Sequence, residues 1–421
     1  MNKNIFSSGL IYIGGEVFNK AIPFLLLPFL TAFLSPEDFG IVSTYQAVLQ
    51  VFLVVIGLSI HASLSVFYFK VEVGFFKKIV ASSFLLSTLL ASIVSVFLCF
   101  FKLEAISFLG VDVIWVLALP VVALLQTFCQ YFLVLYQVNK KRFQYVIFQL
   151  LNTSVNVVCS MLLIAYWHVG LEGRLAGISI AAFMFGLWAV YDLHRRNDWD
   201  FSVNKDSFLV PLRFSIPLVP HALSSWIKTS IDRILLMSFF GASVVGEYSV
   251  IYQLASILSV VFMAANKAGV PFLYEILKQM EVTNGDNKVS KCCFQAFFFI
   301  VILSVVFLIS LPFVFSTFIS GDYSFDSTVA GFLVVGFVLQ GMYFVLVNFL
   351  MFNEKTVLLS KVAIWNSIIH VFVAVPAIYY FNSVGAAFTN SFSWFILFIL
   401  TLIYGNKVNV YPWCKKTNKD V

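Results

Sequence analysis

The sequence predicts an all-α polytopic membrane protein with twelve transmembrane helices, and three observations lead to that fold class. First, the 421 residues are 61% hydrophobic and only 11% charged, whereas soluble domains are roughly half apolar and a quarter charged. Second, apolar segments long enough to cross a bilayer recur along the whole chain. Third, the lysines and arginines between those segments fall almost entirely on alternate connections. Lipid is the solvent that this composition requires.

Twelve apolar segments, separated by charged residues or by proline and glycine, have the length of about 20 residues that a helix needs to cross the hydrocarbon core. They cover residues 7–33, 40–62, 79–101, 113–137, 143–167, 174–193, 212–240, 246–269, 293–319, 328–352, 357–380 and 384–404. The first apolar stretch continues past Leu30 and contains Glu16 and Lys20. We therefore expect a retained span rather than a cleaved signal peptide.

The basic residues of the connections set the orientation of the spans. With the N-terminus inside, the outer connections hold only Lys102 and Arg174. The inner connections and the tail hold Lys70, Lys77, Lys78, Lys140, Lys141, Arg142, Arg195, Arg196, Lys205, Lys278, Lys288, Lys291, Lys355, Lys407, Lys415, Lys416 and Lys419. This asymmetry follows the positive-inside rule and places both termini in the cytoplasm. The net charge of +6 is therefore a topology signal and does not indicate nucleic-acid binding.

An internal repeat divides the predicted spans into two halves. FLSPEDFGIVS (33–43) aligns with FFGASVVGEYS (239–249), and GLEGRLAGISIA (170–181) is similar to NSVGAAFTNSFS (382–393). Six spans separate the matching segments, so the halves share one orientation in the membrane. We expect two parallel six-helix bundles, residues 1–200 and 201–421, related by an axis along the membrane normal. Transporters place substrate sites near the midplane between such repeats.

The seventh span has three charged residues inside an apolar stretch, SSWIKTSIDRILLMSFFG (224–241), namely Lys228, Asp232 and Arg233. The first span contains Glu16 and Lys20. An ionisable side chain at the centre of a membrane helix costs roughly 2.5–3.5 kcal/mol on insertion scales. We therefore expect all five to face protein or water.

Two interpretations of these charges stay open. Two pairs lie four positions apart on one helical face, Glu16 with Lys20 and Lys228 with Asp232. In the first interpretation each pair neutralises itself, and Arg233 extends toward the outer interface. In the second, all five line a water-filled cavity. Lys267, near the inner end of the eighth span, raises their summed charge from +1 to +2, which favours an anionic substrate.

The two charged spans also contain prolines, Pro23 and Pro28 in the first and Pro217 and Pro220 in the seventh. A proline removes a backbone hydrogen bond and can bend a helix, which suits alternating access. Further polar residues within the spans are candidates for the cavity or for hydrogen bonds between helices: Gln46, Gln50, His61, Gln253, Asn366 and His370.

No motif has the spacing of a metal, cofactor or nucleotide site. The six cysteines include no double CxxC, so we expect neither a metal nor disulfides. There is no GxxxxGK(S/T) phosphate-binding loop, and no HExxH or GxSxG motif. The sequence therefore predicts a protein that is not an enzyme, has no cofactor and does not use ATP directly.

Three stretches carry a family resemblance: PFLLLPFLTAFLSPEDFG (23–40), GLEGRLAG (170–177) and SIDRILLMSFFGASVVGEYSVIYQLA (230–255). They resemble Wzx-type O-antigen flippases, which belong to the polysaccharide-transport branch of the multidrug/oligosaccharidyl-lipid/polysaccharide exporter superfamily. The length, the twelve spans and the two six-span halves fit that family along the whole chain. The local fingerprints cover mainly spans one to two and seven to eight.

The resemblance implies a MATE-like, V-shaped pair of six-helix bundles around a central cavity in the bacterial inner membrane. It implies that the substrate is an undecaprenyl-diphosphate-linked oligosaccharide, moved from the cytoplasmic to the periplasmic leaflet by alternating access. Other polysaccharide assembly proteins are candidate partners. The family's central charged positions fall on Asp232 and Arg233. Lys20, Lys228 and Lys267 are candidates for the cavity from their place in the spans alone.

Glu16 is the candidate for the coupling ion, because it is acidic, lies within a span and is one turn from Lys20. A Na⁺ site would need several oxygen ligands, and near Glu16 the sequence offers only Asn19 and backbone carbonyls. We therefore expect a proton.

Two other functions stay open. The first is an ion-coupled multidrug antiporter of the same fold, which would favour acidic residues in the cavity. Here the acidic residues Glu16 and Asp232 are outnumbered by basic ones, which argues against it. A membrane O-antigen polymerase or glycosyltransferase would need a sizeable outer loop, whereas every predicted outer connection has 11 residues or fewer.

Overall fold

The computed structural model describes the backbone of residues 3–283, 286–408, 410, 411 and 413. It describes the side chains of residues 14, 15, 17–278, 289–355, 358–408, 410, 411 and 413. Within this part of the chain every regular element is a helix, which confirms the predicted all-α fold class. The contacts divide the chain into two compact units, Met1–Gly246 and Glu247–Val421. The bundles 1–200 and 201–421 are predicted from the sequence repeat and not from contacts, so this contact-based division does not test them and they stay a prediction.

The first unit contains ten helices and the beginning of an eleventh. They are α1 (Lys3–Phe33), α2 (Pro36–Gly57), α3 (Ile60–Phe67), α4 (Val73–Phe100), α5 (Lys102–Leu109), α6 (Val113–Val138), α7 (Arg142–Met161), α8 (Leu171–Arg196), α9 (Lys205–Ser215), α10 (Val219–Phe240) and the start of α11 (Ala242–Ala255). A single π-helical turn (Leu162–Tyr166) follows α7, and a 3₁₀ turn (Ile216–Leu218) joins α9 to α10.

The second unit contains the rest of α11 and four longer helices. These are α12 (Ile257–Thr283), α13 (Asp286–Phe318), α14 (Ser327–Phe352) and α15 (Thr356–Lys407). The backbone of α15 leaves the helical region at Asn382 (φ 53°, ψ −132°), so α15 is two helices joined at a kink.

Nine helices in the described part of the chain are long and apolar enough to cross a membrane. One of them, Leu358–Lys407, has 50 residues and is interrupted at Asn382, so it has the length of two spans. The apolar part of α1 that is described, Val17–Phe33, is slightly shorter than the 18 residues taken as the minimum length of a span, so α1 is not among the nine. The three charged residues of α10 keep that helix out of the count as well. With α15 taken as two spans and α1 and α10 added, the helices match the twelve predicted spans.

Three predicted spans are interrupted in the structure. The second, predicted over 40–62, ends at Gly57, because Leu58 and Ser59 adopt left-handed backbone angles (φ 43° and 56°). The seventh, predicted over 212–240, is interrupted by the 3₁₀ turn at Pro217, whose ring cannot continue the hydrogen-bond ladder. The eighth, predicted over 246–269, is divided at Ser256 between α11 and α12. By contrast, α1 remains one helix through Pro23 and Pro28.

A reciprocal glycine contact joins the start of α2 to the start of α11. A Cβ atom on Gly40 would lie 1.8 Å from the carbonyl oxygen of Ala242, and one on Gly246 would lie 1.8 Å from that of Pro36. Only glycine allows the two backbones to approach this closely. In the repeat alignment Gly40 corresponds to Gly246, and Pro36 corresponds to Ala242. The two close contacts are therefore made by positions that correspond in that alignment.

A buried tyrosine connects three elements in the core of the first unit. The hydroxyl of Tyr131, on α6, donates to the carbonyl of Gly57 at 3.3 Å and accepts from Ser87, on α4, at 2.8 Å. Tyr131 is fully buried among the apolar side chains of these helices. Hydrogen bonds of this kind add directional contacts where lipid gives apolar side chains little reason to associate.

Candidate functional site

The charged helix α10 starts after the 3₁₀ turn, with Pro220 in its first turn, and ends before Gly241. Proline is tolerated in a first helical turn because the amide it lacks has no partner there. Gly241 has φ 84° and ψ −179°, a conformation that a residue with a Cβ atom rarely adopts. Ser224, Ser230, Asp232 and Leu236 are the buried residues of this helix. The buried side of α10 is therefore mostly polar.

Two hydrogen bonds attach α10 to α2. The indole Nε1 of Trp226 donates to the carbonyl oxygen of Ala47 at 2.8 Å. The hydroxyl of Ser230 donates to Oε1 of Gln50 at 3.2 Å. Gln50 is one of the polar residues that the sequence analysis proposed for the cavity or for bonds between helices, and here it bonds the two helices.

The three charged residues of α10 have different surroundings. Asp232 is 3% exposed, and Lys228, one turn earlier, is half-buried. Nη1 of Arg233 donates to the carbonyl of Thr229 at 2.7 Å, so its guanidinium turns back toward the helix N-terminus. A snorkelling side chain would turn toward the outer end of the helix instead. This bond does not favour an outward-reaching Arg233, and which interpretation of its charge holds stays a prediction.

On the first span, Lys20 is exposed and its neighbour Asn19 contacts α7. Oδ1 of Asn19 accepts a hydrogen bond from the hydroxyl of Thr153. This amide, the candidate Na⁺ ligand of the sequence analysis, thus bonds to another helix. The side chain of Glu16 lies outside the described residues, so its role stays a prediction.

Lys267 is half-buried on α12, in the second unit. The adjacent Asn266 accepts a hydrogen bond from Asn348, on α14, at 2.7 Å. Asn366 and His370, on α15, are buried in the same unit, and Asn366 donates to Ser393 at 3.0 Å. Lys20, Lys228, Asp232 and Arg233 belong to the first unit, whereas Lys267 belongs to the second. That they form one cavity stays a prediction.

An arginine between α7 and α8, whose Nε is buried, was not among the predicted site residues. Nη1 of Arg174 donates to Oδ1 of Asn156 at 2.6 Å and to the hydroxyl of Ser160 at 2.7 Å. From the sequence, Arg174 was predicted only as a charge of an outer connection. The signal that this prediction left unused is the helical spacing of Asn156 and Ser160, which places them on one face of α7.

A second arginine ties together the predicted cytoplasmic end of the first unit. Arg196 forms an ion pair with Asp192 at 2.7 Å, donates to the hydroxyl of Tyr136 at 3.1 Å and lies over the Tyr136 ring. In the connection that follows, burial raises the pKa of Asp198, and the charge of Arg196 offsets part of that rise. Hydrogen bonds from the backbone N–H and hydroxyl of Ser202 hold the pKa of Asp200 below its usual value.

Within the described residues, no three His, Cys, Asp or Glu side chains come together as the ligands of a metal would. The cysteines of this part of the chain are free thiols: Cys99, Cys129, Cys159, Cys292 and Cys293. Cys414 lies outside the described residues.

The sequence profile of a family described as polysaccharide biosynthesis proteins matches residues 5–277, more than half of the chain. The chain belongs to this family. The chain is 27% identical over 374 residues to protein 1 of the Lsg locus of Haemophilus influenzae, covering 87% of this chain and 90% of that relative. It is 28% identical over 277 residues to an uncharacterized membrane protein of the same organism, covering 65% of this chain and 66% of the relative.

Solved structures with a similar fold include the lipid II flippase MurJ in an inward closed conformation. The TM-score is 0.74 at 14% identity, covering 95% of this chain and 86% of MurJ. An inward-facing multidrug resistance MATE family transporter of the MOP superfamily gives a TM-score of 0.70 at 15% identity, covering 97% and 96%. At these identities the likeness shows the fold alone. The predicted MATE-like fold and the predicted membership of the polysaccharide branch are confirmed, and the protein crosses the membrane many times.

Proposed function

We propose that this protein is a lipid-linked oligosaccharide flippase of the bacterial inner membrane. It moves undecaprenyl-diphosphate-linked repeat units of O-antigen, or of a related surface polysaccharide, from the cytoplasmic to the periplasmic leaflet. Membership of the polysaccharide biosynthesis family supports the class of cargo, and the transporter fold supports movement across the membrane. The observation that carries the proposal is the set of charges on α10, above all the buried Asp232 with Lys228 one turn away.

The substrate's diphosphate would need positive potential to reach the midplane, since isolated charges are costly there. Lys20 and Lys228 are the side chains that we assign to this task, with Lys267 contributing from the second unit. Arg233 adds a planar donor group of the kind that binds phosphate oxygens in pairs. Asp232 offsets one of the two positive charges of α10 when the substrate is absent. The lipid leaves the protein chemically unchanged, so the proposal assigns no catalytic residue.

The membrane potential favours outward movement of an anion, because the cytoplasm is electrically negative. Each charge gains about 2.3 kcal/mol per 100 mV, so two negative charges gain roughly 4–5 kcal/mol at about 100 mV. That gain is enough to bias export without ATP. Resetting the empty carrier is assigned to Glu16, which takes a proton from outside, loses its charge and releases Lys20.

The proposal also states an orientation, with both termini in the cytoplasm. A reporter fused after Arg196 or at Val421 should therefore be cytoplasmic, and one inserted near Asp326 should be periplasmic. A cytoplasmic reporter at Asp326 would contradict the orientation and the twelve-span topology together.

The decisive experiment for the function is a leaflet-specific assay with purified protein in sealed vesicles. The probe is the lipid-linked repeat unit extracted from cells that lack the protein, and a membrane-impermeant reagent reports which leaflet it occupies. Movement well above that in protein-free vesicles is expected, and it should accelerate when a potential of the physiological sign is imposed. Equal rates with and without the protein would overturn the proposal.

An ion-coupled multidrug antiporter is the second candidate, and the buried Asp232 is the observation that favours it, because a buried carboxylate can bind a cation. The two functions differ in the sign of the cargo. An antiporter would export cationic dyes from the same vesicles against a proton gradient and would leave the lipid-linked repeat unit in its original leaflet.

A further inference from the structure

One face of α7 is polar along most of its length. Its residues recur at spacings of three and four, which places them in one stripe: Tyr145, Gln149, Asn152, Thr153, Asn156 and Ser160. The opposite face is apolar and open, with exposed fractions of 66%, 55%, 42% and 51% at Phe143, Ile147, Leu151 and Val158. Because α7 is a predicted membrane span, the open face contacts lipid and the polar stripe faces the rest of the first unit.

The stripe is continuous with polar groups of two neighbouring helices. Thr153 donates to Asn19 of α1, the residue that precedes Lys20. Asn156 and Ser160 accept the hydrogen bonds from Arg174 of α8. The polar surface of α7 therefore adjoins both Asn19, the chain neighbour of Lys20, and the guanidinium of Arg174, whose Nε is buried.

Packing does not use all of the hydrogen-bonding capacity of this surface. Oε1 of Gln149 and Nε of Arg174 are buried, and neither has a hydrogen-bond partner among the described residues. Nearly all buried polar atoms in proteins are hydrogen-bonded, so two such atoms on one surface need an explanation. A ligand that crosses this surface and offers both donors and acceptors would satisfy them in passing.

The chemistry of the stripe selects a neutral, hydroxyl-rich ligand. Every residue of α7 is described, and none of them is acidic, so the stripe offers a cation no carboxylate. Its only basic residue, Arg142, is at the start of the helix, on the predicted cytoplasmic side. Between Arg142 and Arg174 the stripe consists of amides and hydroxyls. An amide both donates and accepts hydrogen bonds, as a sugar hydroxyl does.

We propose that the polar face of α7 is the surface along which the sugar part of the lipid-linked substrate crosses the membrane, while its diphosphate is held by the lysines. This inference rests on the proposed function and adds a second binding surface to it. Gln149 and Asn152 supply amide contacts to successive sugars, and Arg174 supplies the donor at the outer end.

The test compares two lipids in the vesicle assay, undecaprenyl diphosphate bearing one N-acetylglucosamine and the lipid-linked repeat unit extracted from cells that lack the protein. Gln149→Leu and Asn152→Leu remove amides while keeping much of the side-chain volume. Each should slow movement of the repeat unit by about tenfold, the change expected from the loss of one hydrogen bond to the substrate, and should slow the single-sugar lipid far less. Asn152→Gln, which keeps an amide, should recover part of the rate.

Ser154→Leu is the matched control, since Ser154 is exposed on the lipid-facing side of α7 at the same depth. It should move both lipids at the wild-type rate. Gln149→Leu should also unfold at or above the wild-type temperature, because it removes a buried acceptor that has no partner among the described residues. Equal slowing of both lipids, or no slowing of either, would overturn the inference alone. Failure of the wild-type protein to move either lipid would overturn the proposed function, and this inference with it.

Discussion

Helix α7 of the first unit and helix α13 of the second both have a broad apolar face open to lipid, but their inward faces differ. On α13 the open face includes Phe298, Ile309 and Phe313, with exposed fractions of 69%, 75% and 73%. Its buried face is mostly apolar as well, with Ile300, Leu311 and Phe315. On α7 the inward face is a stripe of amides and hydroxyls, and on α10 it includes a carboxylate.

This difference distinguishes helices that only form the lipid-facing wall of the protein from helices that take part in transport. Apolar side chains gain little by leaving lipid for a protein interior, so an apolar inward face serves packing alone. A polar inward face costs free energy on insertion and has to be balanced by partners or by a ligand. We therefore expect α7 and α10 to determine transport, and α13 to determine only insertion and stability.

The largest expected effect is loss of transport on changing the charged helix. Lys228→Ala should abolish surface polysaccharide while the protein remains in the membrane, because the diphosphate loses a counter-charge, and Lys228→Arg should keep part of the activity. Lys20→Ala should behave in the same way. Val306→Ala, on the open face of α13, is the control and should leave polysaccharide unchanged. Surface polysaccharide and membrane protein are measured in the same cells. Full activity of both lysine variants would return these residues to a structural role.

The next effect sharpens the assignment of α13 to lipid. Val306 is 59% exposed on α13, and Val306→Lys would place a charge against the hydrocarbon at a cost of roughly 2.5–3.5 kcal/mol. The amount of protein in the membrane should fall several-fold, as measured by quantitative immunoblotting of membrane fractions. Val306→Met should insert normally. Unchanged membrane levels of Val306→Lys would show that this face of α13 does not contact lipid.

A smaller effect compares glycines of the two units. Gly40→Ala would place a methyl group 1.8 Å from the carbonyl oxygen of Ala242, so the crossing of α2 and α11 has to open. We expect destabilisation of about 1–3 kcal/mol, seen as a lower midpoint of thermal unfolding in detergent. Gly331→Ala, on α14, meets nothing within 4 Å and should be neutral or stabilising. Equal midpoints for the two variants would contradict the close contact at Gly40.

The smallest effect lies outside both helices, at Asp198. Because burial raises its pKa in the folded state, Asp198 contributes stability while it is protonated, and this contribution is lost as the pH rises through the raised pKa. The unfolding temperature of Asp198→Asn should therefore rise relative to that of the wild type as the pH increases above about 4, the ordinary pKa of an aspartate. Thermal unfolding of both proteins across this range is the measurement. A difference that is independent of pH would contradict the raised pKa.

Individual residues show how far the sequence could predict the site. The shared helical face of Lys228 and Asp232 could be predicted, because residues four positions apart lie on the same side of a helix. The direction of Arg233 was not visible, because a long side chain can reach toward either end of its helix, and the bond to Thr229 is a property of the folded chain. The polar stripe of α7 was present in the sequence and could have been found from the spacing of Gln149, Asn156 and Ser160.

The sequence by itself determined that this chain crosses a membrane many times as helices, and it carried the family fingerprints. It could do so because the partition of a segment between lipid and water depends mainly on that segment's own composition and length. Only the tertiary structure decided what each polar face meets. Arg174 bonds Asn156 across consecutive helices, whereas Trp226 with α2 and Gly40 with Ala242 join helices that are distant in the chain. Such contacts depend on which helices pack together, and no single segment contains that information.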